Sequence, residues 1–141
     1  NGDVKVTYKE ENRDLFSVTE DYYFVHCISA DFALGKGIAL QFKKSFDMKN
    51  KLKESGKSGK CILIDRVFNL VTKETYRRKP TIESITECLQ ELKKQVIEND
   101  IKKLAMPLIG CGLDGLNWKD ISEQVKKIFD DVKVEILVCY L

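Results

Sequence analysis

The residues with the clearest chemical potential are three closely spaced glycines, Gly110, Gly112 and Gly115, which surround one carboxylate, Asp114. An apolar run precedes them and an amphipathic pattern follows, as in a strand, a tight loop and a helix start. Glycine lets a backbone approach a ligand closely, and the free N–H groups of a helix start favour anions. The stretch fits either a diphosphate-binding loop that directs Asp114 at an adjacent group, or a glycine-rich βα turn without a ligand.

A second unit of the same kind lies earlier in the chain. The run from Tyr22 to Ile28 is apolar except for His26, which predicts a strand covered on both faces. Gly35 and Gly37 follow, and apolar residues then recur every four positions, so a helix is expected to begin near Gly37. Ligands bind at the ends of strands in such sheets, so we expect both glycine loops to face one crevice.

The other elements follow from the spacing of apolar residues. We predict an alternating strand through Val4, Val6 and Tyr8, a hairpin of strands 61–64 and 67–72 joined at Asp65-Arg66, a helix at 81–98, a strand at 103–109, a helix capped by Asn117 and a last strand at 134–138. The segment 47–60 is polar and interrupted by Gly56 and Gly59, and no element is assigned to it. Alternating strands and helices predict a mixed sheet with helices on both sides, in one domain spanning residues 1–141.

Composition narrows the class of protein. The chain has 141 residues, of which 43% are hydrophobic and 33% charged, as in soluble globular proteins. We find no apolar run of membrane-spanning length and no signal-peptide pattern, so no membrane partner is expected. A net charge of +2 is too small to indicate nucleic-acid binding by itself, although seven lysines fall between Lys43 and Lys60. That run fits either a solvated surface or a basic patch for a polyanion.

The cysteines and the histidine point to core roles. Five cysteines without Cys-x-x-Cys spacing, and a single histidine, argue against a metal site and favour a reducing, cytoplasmic location. Cys27, Cys61, Cys88 and Cys139 occupy apolar positions and are interpreted as small core residues. His26 is more typical of a hydrogen-bonded core histidine than of a base. A monomer is the default expectation.

Motifs in the right order give the chain a resemblance to a known family. They are His26-Cys27-Ile28-Ser29, Gly35-x-Gly37-Ile38-Ala39, Val71-Thr72-Lys73 and Met106-Pro107-x-Ile109-Gly110-Cys111-Gly112-Leu113-Asp114-x-Leu116-x-Trp118. The chain resembles the macrodomains and, more narrowly, the terminal ADP-ribose protein glycohydrolases among them. The similarity covers most of the chain, and its last motif is long and specific.

The resemblance implies a fold and an activity. The implied fold is a three-layer α/β/α macrodomain with a mixed central sheet, and the implied ligand is ADP-ribose, which is substrate or product rather than a cofactor. The implied activity removes ADP-ribose from glutamate or aspartate side chains of a protein partner. Related members act on O-acetyl-ADP-ribose, and others reverse ADP-ribosylation of DNA bases as antidotes to toxins. A non-catalytic ADP-ribose reader is the remaining alternative.

The resemblance also implies roles for individual residues. Lys73, which without it would be interpreted as a surface lysine, and Asp114 match the catalytic positions. A neutral lysine can form a Schiff base with the open-chain sugar, and Asp114 would then act as the acid/base. The expected substrate contacts are Asp14 and Leu15 at the adenine, Ser29 and Asp31 at a ribose, and Gly35, Gly37, Ile38, Ile109, Gly110, Cys111, Gly112, Leu113 and Gly115 along the two loops. No metal is implied.

Two departures from the family pattern concern the adenine end of the expected pocket. Arg13 stands where the family usually has glycine, and a backbone that needs a positive φ would not suit it. The family carries an aromatic residue at about the position of Cys139, whereas this chain has Tyr140, whose side chain is expected on the other face of the strand. Adenine stacking is therefore not assigned to Tyr140.

Overall fold

A computed structural model describes residues 5–141 of the protein. Val4, assigned to the first predicted strand, lies outside the described residues. The strands are β1 (Thr7–Asn12), β2 (Tyr23–Ser29), β3 (Cys61–Ile64), β4 (Val67–Lys73), β5 (Lys103–Met106) and β6 (Glu135–Tyr140), and the helices are α1 (Gly37–Phe46), α2 (Met48–Ser55), α3 (Ile82–Glu98) and α4 (Trp118–Ile128). A short 3₁₀ turn, Leu15–Ser17, follows β1.

The strands form one mixed sheet in the order β1-β6-β5-β2-β4-β3. Every neighbouring pair is parallel except β3 and β4, which form the predicted antiparallel hairpin. The hairpin turn places Asp65 at a φ of 53°. Because the other strands run in one direction, the segments that follow β1, β2, β4 and β5 all leave the sheet at the carboxyl ends of its parallel strands.

Helices cover both faces of the sheet, and each strand alternates its side chains between the two layers. Along β2, Val25 packs in the layer of α3 and α4, whereas Phe24 and Ile28 pack in the layer of α1, α2 and the 3₁₀ turn. In β6, Val138 joins the first layer and Cys139 the second. This is the predicted three-layer α/β/α architecture.

Helix α2 is the main element that the sequence pattern missed. Only Met48 and Leu52 of this helix are buried, so its apolar face is too small to produce a clear period. Asp47, in the left-handed conformation at a φ of 53°, separates α1 from α2 and turns the chain between them. A smaller difference concerns β5, which ends at Met106 instead of continuing to Ile109. The next residue, Pro107, has no N–H to donate to a strand partner.

The single histidine lies in the core, as predicted. His26 and Asn69 are register partners on β2 and β4, and 2.6 Å separates His26 Nε2 from Asn69 Oδ1. The Asn69 amide in turn donates to the carbonyl of Ile62 at 3.0 Å, and the imidazole lies 4.1 Å from the ring of Phe42, between centroids. Burial lowers the pKa of His26 to about 4, against the opposing effect of the Asn69 hydrogen bond. The ring is therefore neutral at physiological pH.

Within residues 5–141, no helix combines the length and apolarity that a bilayer crossing requires.

Candidate active site

The centre of the site is an ion pair between Lys73 and Asp114. Lys73 is the last residue of β4, and Asp114 lies in the loop that connects β5 to α4. Lys73 Nζ donates to Asp114 Oδ1 at 2.8 Å, and the two side chains are 16% and 19% exposed. Because β2 lies between β4 and β5 in the sheet, the pair reaches across the carboxyl end of β2. The fold thus joins two residues that are 41 positions apart in the chain.

The thiols near this pair are protonated. Burial raises the pKa of Cys27 on β2 well above its usual range, and the nearby charges of Asp114 and Lys73 act on it in opposite directions. Burial also raises the pKa of Cys111, whose Sγ–H donates to the carbonyl of Ile109 at 3.3 Å. A nucleophilic cysteine needs a lowered pKa. Neither thiol meets this requirement.

The loop between β5 and α4 requires glycine at its first turn. Gly110 has a φ of +75°, and a Cβ built there would lie 2.6 Å from Ile85 Cδ1 and 3.0 Å from Ile121 Cδ1. A side chain at Gly110 would thus require these two buried methyl groups of α3 and α4 to shift. Gly115 has the same φ, but nothing lies within 4 Å of a Cβ built there. The glycines therefore serve different purposes: Gly110 allows close packing and Gly115 allows the turn.

The N–H groups of this loop divide into bonded and available donors. Cys111 donates to the carbonyl of Leu108, and Gly115 donates to that of Gly112. Within the described part of the chain, the N–H groups of Gly110, Gly112, Leu113 and Asp114 donate to no protein acceptor. Consecutive free N–H groups form an anion-binding concavity. The loop can therefore offer donors to a diphosphate from these four residues, while the N–H groups of Cys111 and Gly115 stabilise the loop itself.

The start of α1 offers a second set of donors. Gly37 is its first residue, at a φ of +59°, and the N-cap residue Lys36 makes no side-chain cap. The first-turn N–H groups are thus left for an anion. The loop before α1 also holds Phe32 and Leu34 in left-handed conformations, with φ of 53° and 45°. Such outliers cost about 1–2 kcal/mol each and mark segments whose shape is imposed by their surroundings.

Ser29 and Asp31, predicted to reach a ribose, are bonded to each other and to the neighbouring loop. The Ser29 hydroxyl and the N–H of Ala33 both donate to Asp31 Oδ1. The N–H of Tyr76, in the segment after β4, donates to Asp31 Oδ2 at 3.1 Å. The Ser29 hydrogen bond is the largest cause that lowers the pKa of Asp31. Asp31 is therefore an ionised link between the segments that follow β2 and β4, and a ribose contact stays a prediction.

At the expected adenine end, Asp14 caps the 3₁₀ turn by accepting the N–H of Phe16 at 2.9 Å, and Leu15 is buried in the layer of α1. Arg13 is not among the described residues with positive φ, so it fits where the family has glycine. Its side chain bonds Ser17 at Oγ and at the carbonyl. Cys139 faces this same layer, whereas alternation turns Tyr140 to the opposite face of the sheet.

A further residue of the site, Lys79, was not among the predicted site residues. Its Nζ donates to the carbonyl of Leu113 at 2.8 Å, beside the catalytic candidate Asp114. The segment after β4 is thus tied to the first ligand loop through Asp31 and to the second through Lys79. The two partners are 34 positions apart, and no local pattern signals such a bond. Trp118 is half-buried, and its indole N–H donates to Glu10 at 3.0 Å.

A six-stranded mixed sheet between two layers of helices is the architecture of a macrodomain. The family model named Macro domain matches residues 25–125, and the chain belongs to the macrodomain family.

Individual relatives are of two kinds. The chain is 35% identical over 139 residues to the ADP-ribose glycohydrolase OARD1 of Bos taurus, covering 95% of this chain and 90% of the relative. It is 28% identical over 129 residues to the DNA ADP-ribosyl glycohydrolase of Thermus aquaticus, covering 81% of this chain and 36% of that protein. The solved macrodomain of Thermus aquaticus DarG superposes with a TM-score of 0.84 at 24% identity, over 96% of this chain and 99% of that one, which supports the fold.

Proposed function

We propose that the protein is a hydrolase that removes ADP-ribose from glutamate or aspartate side chains through a covalent intermediate on Lys73. The observation that carries the proposal is the 2.8 Å contact between Lys73 Nζ and Asp114 Oδ1 at the sheet edge where both anion-binding loops end. The similarity to an ADP-ribose glycohydrolase over 95% of the chain supports the reaction class. A reader of ADP-ribose needs the loops but has no use for a paired amine and carboxylate.

The first step requires a neutral amine, because an ammonium has no lone pair. Asp114 is within hydrogen-bond distance of Lys73 Nζ and can take its proton directly. The amine then attacks C1″ of the ribose, the bond from C1″ to the acyl oxygen breaks, and its electron pair leaves with the substrate carboxylate. Opening of the sugar ring, with the second amine proton delivered to the ring oxygen, gives the Schiff base.

The second step returns the enzyme to its starting state. Asp114 gives the proton that it took from Lys73 to the departing substrate carboxylate and is then a carboxylate again. It deprotonates a water that adds to C1″, and it returns that proton to Lys73 Nζ as the bond from C1″ to Nζ breaks. ADP-ribose and the free lysine are the products. General acid/base catalysis is worth about 10²–10⁴-fold in rate, so Asp114→Ala is expected to reduce turnover by that factor.

The diphosphate is held by backbone donors in this proposal. The free N–H groups of Gly110, Gly112, Leu113 and Asp114 face one side, and the uncapped start of α1 at Gly37 offers the other. Neutral backbone donors leave the lysine free for chemistry. An acetyl ester of ADP-ribose presents the same kind of leaving carboxylate, so deacetylation of O-acetyl-ADP-ribose belongs to the same proposal.

The test is release of labelled ADP-ribose from a glutamate-linked protein by the wild type and two variants. Lys73→Arg keeps a cation beside Asp114 but cannot form a Schiff base, and it should bind ADP-ribose and release none. Lys94→Ala, an exposed change on α3, is the matched control and should behave as wild type. No release by the wild type, together with tight ADP-ribose binding in calorimetry, would show a reader instead of an enzyme.

A second candidate is reversal of ADP-ribosylation on DNA bases. Its support is the similarity to a DNA ADP-ribosyl glycohydrolase and the exposed Lys43, Lys44 and Lys53 on α1 and α2. The same assay with ADP-ribosylated single-stranded DNA separates the two. Faster release from DNA than from protein, lost in Lys43→Ala/Lys44→Ala, would favour this candidate.

A further inference from the structure

The segment that follows Lys73 forms one rim of the crevice and is tied down at both ends. Near its start, the N–H of Tyr76 donates to Asp31 at 3.1 Å, and near its end Lys79 Nζ donates to the carbonyl of Leu113 at 2.8 Å. These bonds link the segment to both ligand loops. A loop held in this way keeps a defined shape beside the reacting pair without contributing to it.

Four side chains beside the reacting pair face solvent, three of them on this segment and one, that of Leu113, on the loop to which Lys79 donates. Tyr76 is 55% exposed and Leu113 is 69% exposed. Arg77 and Arg78 are also exposed, and no carboxylate among residues 5–141 lies within ion-pair distance of either. We name Tyr76, Arg77, Arg78 and Leu113 the acceptor rim.

Arg77 is oriented for a carboxylate. Its Nε donates to the hydroxyl of Tyr76 at 3.1 Å, and its Cζ lies 5.5 Å from the centroid of that ring. This contact holds the guanidinium, while its two terminal nitrogens donate to no acceptor among the described residues. A guanidinium fork pairs with a carboxylate through two parallel hydrogen bonds, and holding it in advance reduces the entropy lost on binding.

We infer that the acceptor rim binds the polypeptide that carries the ADP-ribosyl ester and selects acidic residues next to the modified side chain. The inference rests on the proposed function, since the ester carbon must lie at Lys73 and the polypeptide must then leave the crevice beside the segment that follows it. Exposed apolar side chains next to free guanidiniums suit a peptide with carboxylates at single positions.

A continuous phosphate backbone fits this rim less well. Glu74 follows Lys73 directly, and Asp31 accepts the N–H of Tyr76, so two negative charges accompany the cations Arg77, Arg78 and Lys79 along this rim. These carboxylates weaken the extended positive field that nucleic acids require. An isolated carboxylate can still pair with one guanidinium at short range. The exposed Lys43 and Lys44 on α1 provide the comparison for a polyanion.

The experiment uses three peptides with one ADP-ribosylated glutamate flanked by acidic, neutral or basic residues, and the acetyl ester of ADP-ribose as a substrate without a peptide. We compare kcat/KM for the wild type, Arg77→Ala/Arg78→Ala and the matched charge removal Lys43→Ala/Lys44→Ala. Affinities of the same peptides for Lys73→Arg are measured by calorimetry, because this variant is expected to bind the peptides without cleaving them.

We expect the wild type to prefer acidic over neutral flanks by about twofold to thirtyfold, the range for two exposed ion pairs. The arginine variant should cleave acidic and neutral peptides equally well and should cleave the acetyl ester as the wild type does. The lysine variant should keep the preference for acidic flanks. Equal affinities of Lys73→Arg for acidic and neutral peptides would overturn the inference, as would a preference that only the lysine variant loses. Absence of cleavage of every ester by the wild type would instead overturn the proposed function, and the affinities would still decide the role of the rim.

Discussion

The three glycines of the second ligand loop should respond differently to the same substitution. At Gly110, alanine must adopt a φ of +75°, which costs about 1–2 kcal/mol, and its Cβ would lie 2.6 Å from Ile85 Cδ1. The contacted Cδ1 methyl groups are side-chain ends that can shift, but Ile85 and Ile121 are fully buried, so the shift repacks the core at a cost of about 1–3 kcal/mol more. We therefore expect Gly110→Ala to lower the free energy of unfolding by about 2–5 kcal/mol, the sum of these two costs.

Two neighbours in the same loop provide the controls. Gly115→Ala meets the same φ of +75° but no atom within 4 Å, so only the conformational cost of about 1–2 kcal/mol applies. Gly112 has neither a positive φ nor a neighbour within that distance, and Gly112→Ala should leave the free energy of unfolding nearly unchanged. Each variant differs from the wild type by one methyl group, so differences in the free energy of unfolding report the backbone conformation and packing at each glycine.

The assay is urea unfolding followed by circular dichroism, with the free energy of unfolding extrapolated to water. The expected order of destabilisation is Gly110, then Gly115, then Gly112. A Gly110→Ala protein as stable as Gly112→Ala would refute the close packing of this loop on α3 and α4. Equal loss at Gly115 and Gly110 would show that backbone conformation alone, without the contact with Ile85, explains the requirement.

Two further predictions concern other parts of the structure. His26, the single histidine, should give one imidazole NMR resonance that titrates near pH 4 instead of 6.5. Since the folded pKa lies below the ordinary value, protonation favours unfolding, and the stability that is complete above about pH 6.5 should fall by about 2 kcal/mol at pH 5. In His26→Gln this part of the pH dependence should disappear, and titration near 6.5 in the folded wild type would contradict the buried site. Lys79→Met should remove the bond to Leu113 and raise the amide exchange of Gly115 severalfold with an unchanged melting temperature. Unchanged exchange would show that Lys79 does not hold the loop.

The fold was largely predictable because its strands and long helices have apolar patterns with clear periods. The run from Tyr22 to Ile28 and the hairpin are examples, and the glycines marked the loops. Helix α2 was missed because Met48 and Leu52 are its only buried residues, too few to distinguish a helix from a polar connection. Its helical state depends on packing against the sheet, which is tertiary information.

The residues of the candidate site were likewise partly predictable, but the contacts between them were not. Lys73 and Asp114 were paired in advance through the family resemblance, whereas the contact between them depends on β4 and β5 flanking β2 in the sheet. The bonds from Tyr76 to Asp31 and from Lys79 to Leu113 join distant segments, and no spacing of residues encodes them. The N–H groups of Cys111 and Gly115 were expected to face the ligand but donate within their own loop, a matter of local hydrogen bonding that only coordinates reveal.

The central claim is that Lys73 becomes covalently linked to ADP-ribose during turnover. The most direct measurement is mass spectrometry of wild-type and Asp114→Ala protein, quenched with borohydride during reaction with a glutamate-linked substrate so that a Schiff base is reduced to a stable amine. We predict ADP-ribose on the peptide that contains Lys73, and none in Lys73→Arg. Continued release of ADP-ribose with no adduct in either protein, or release by Lys73→Arg at the wild-type rate, would contradict the claim.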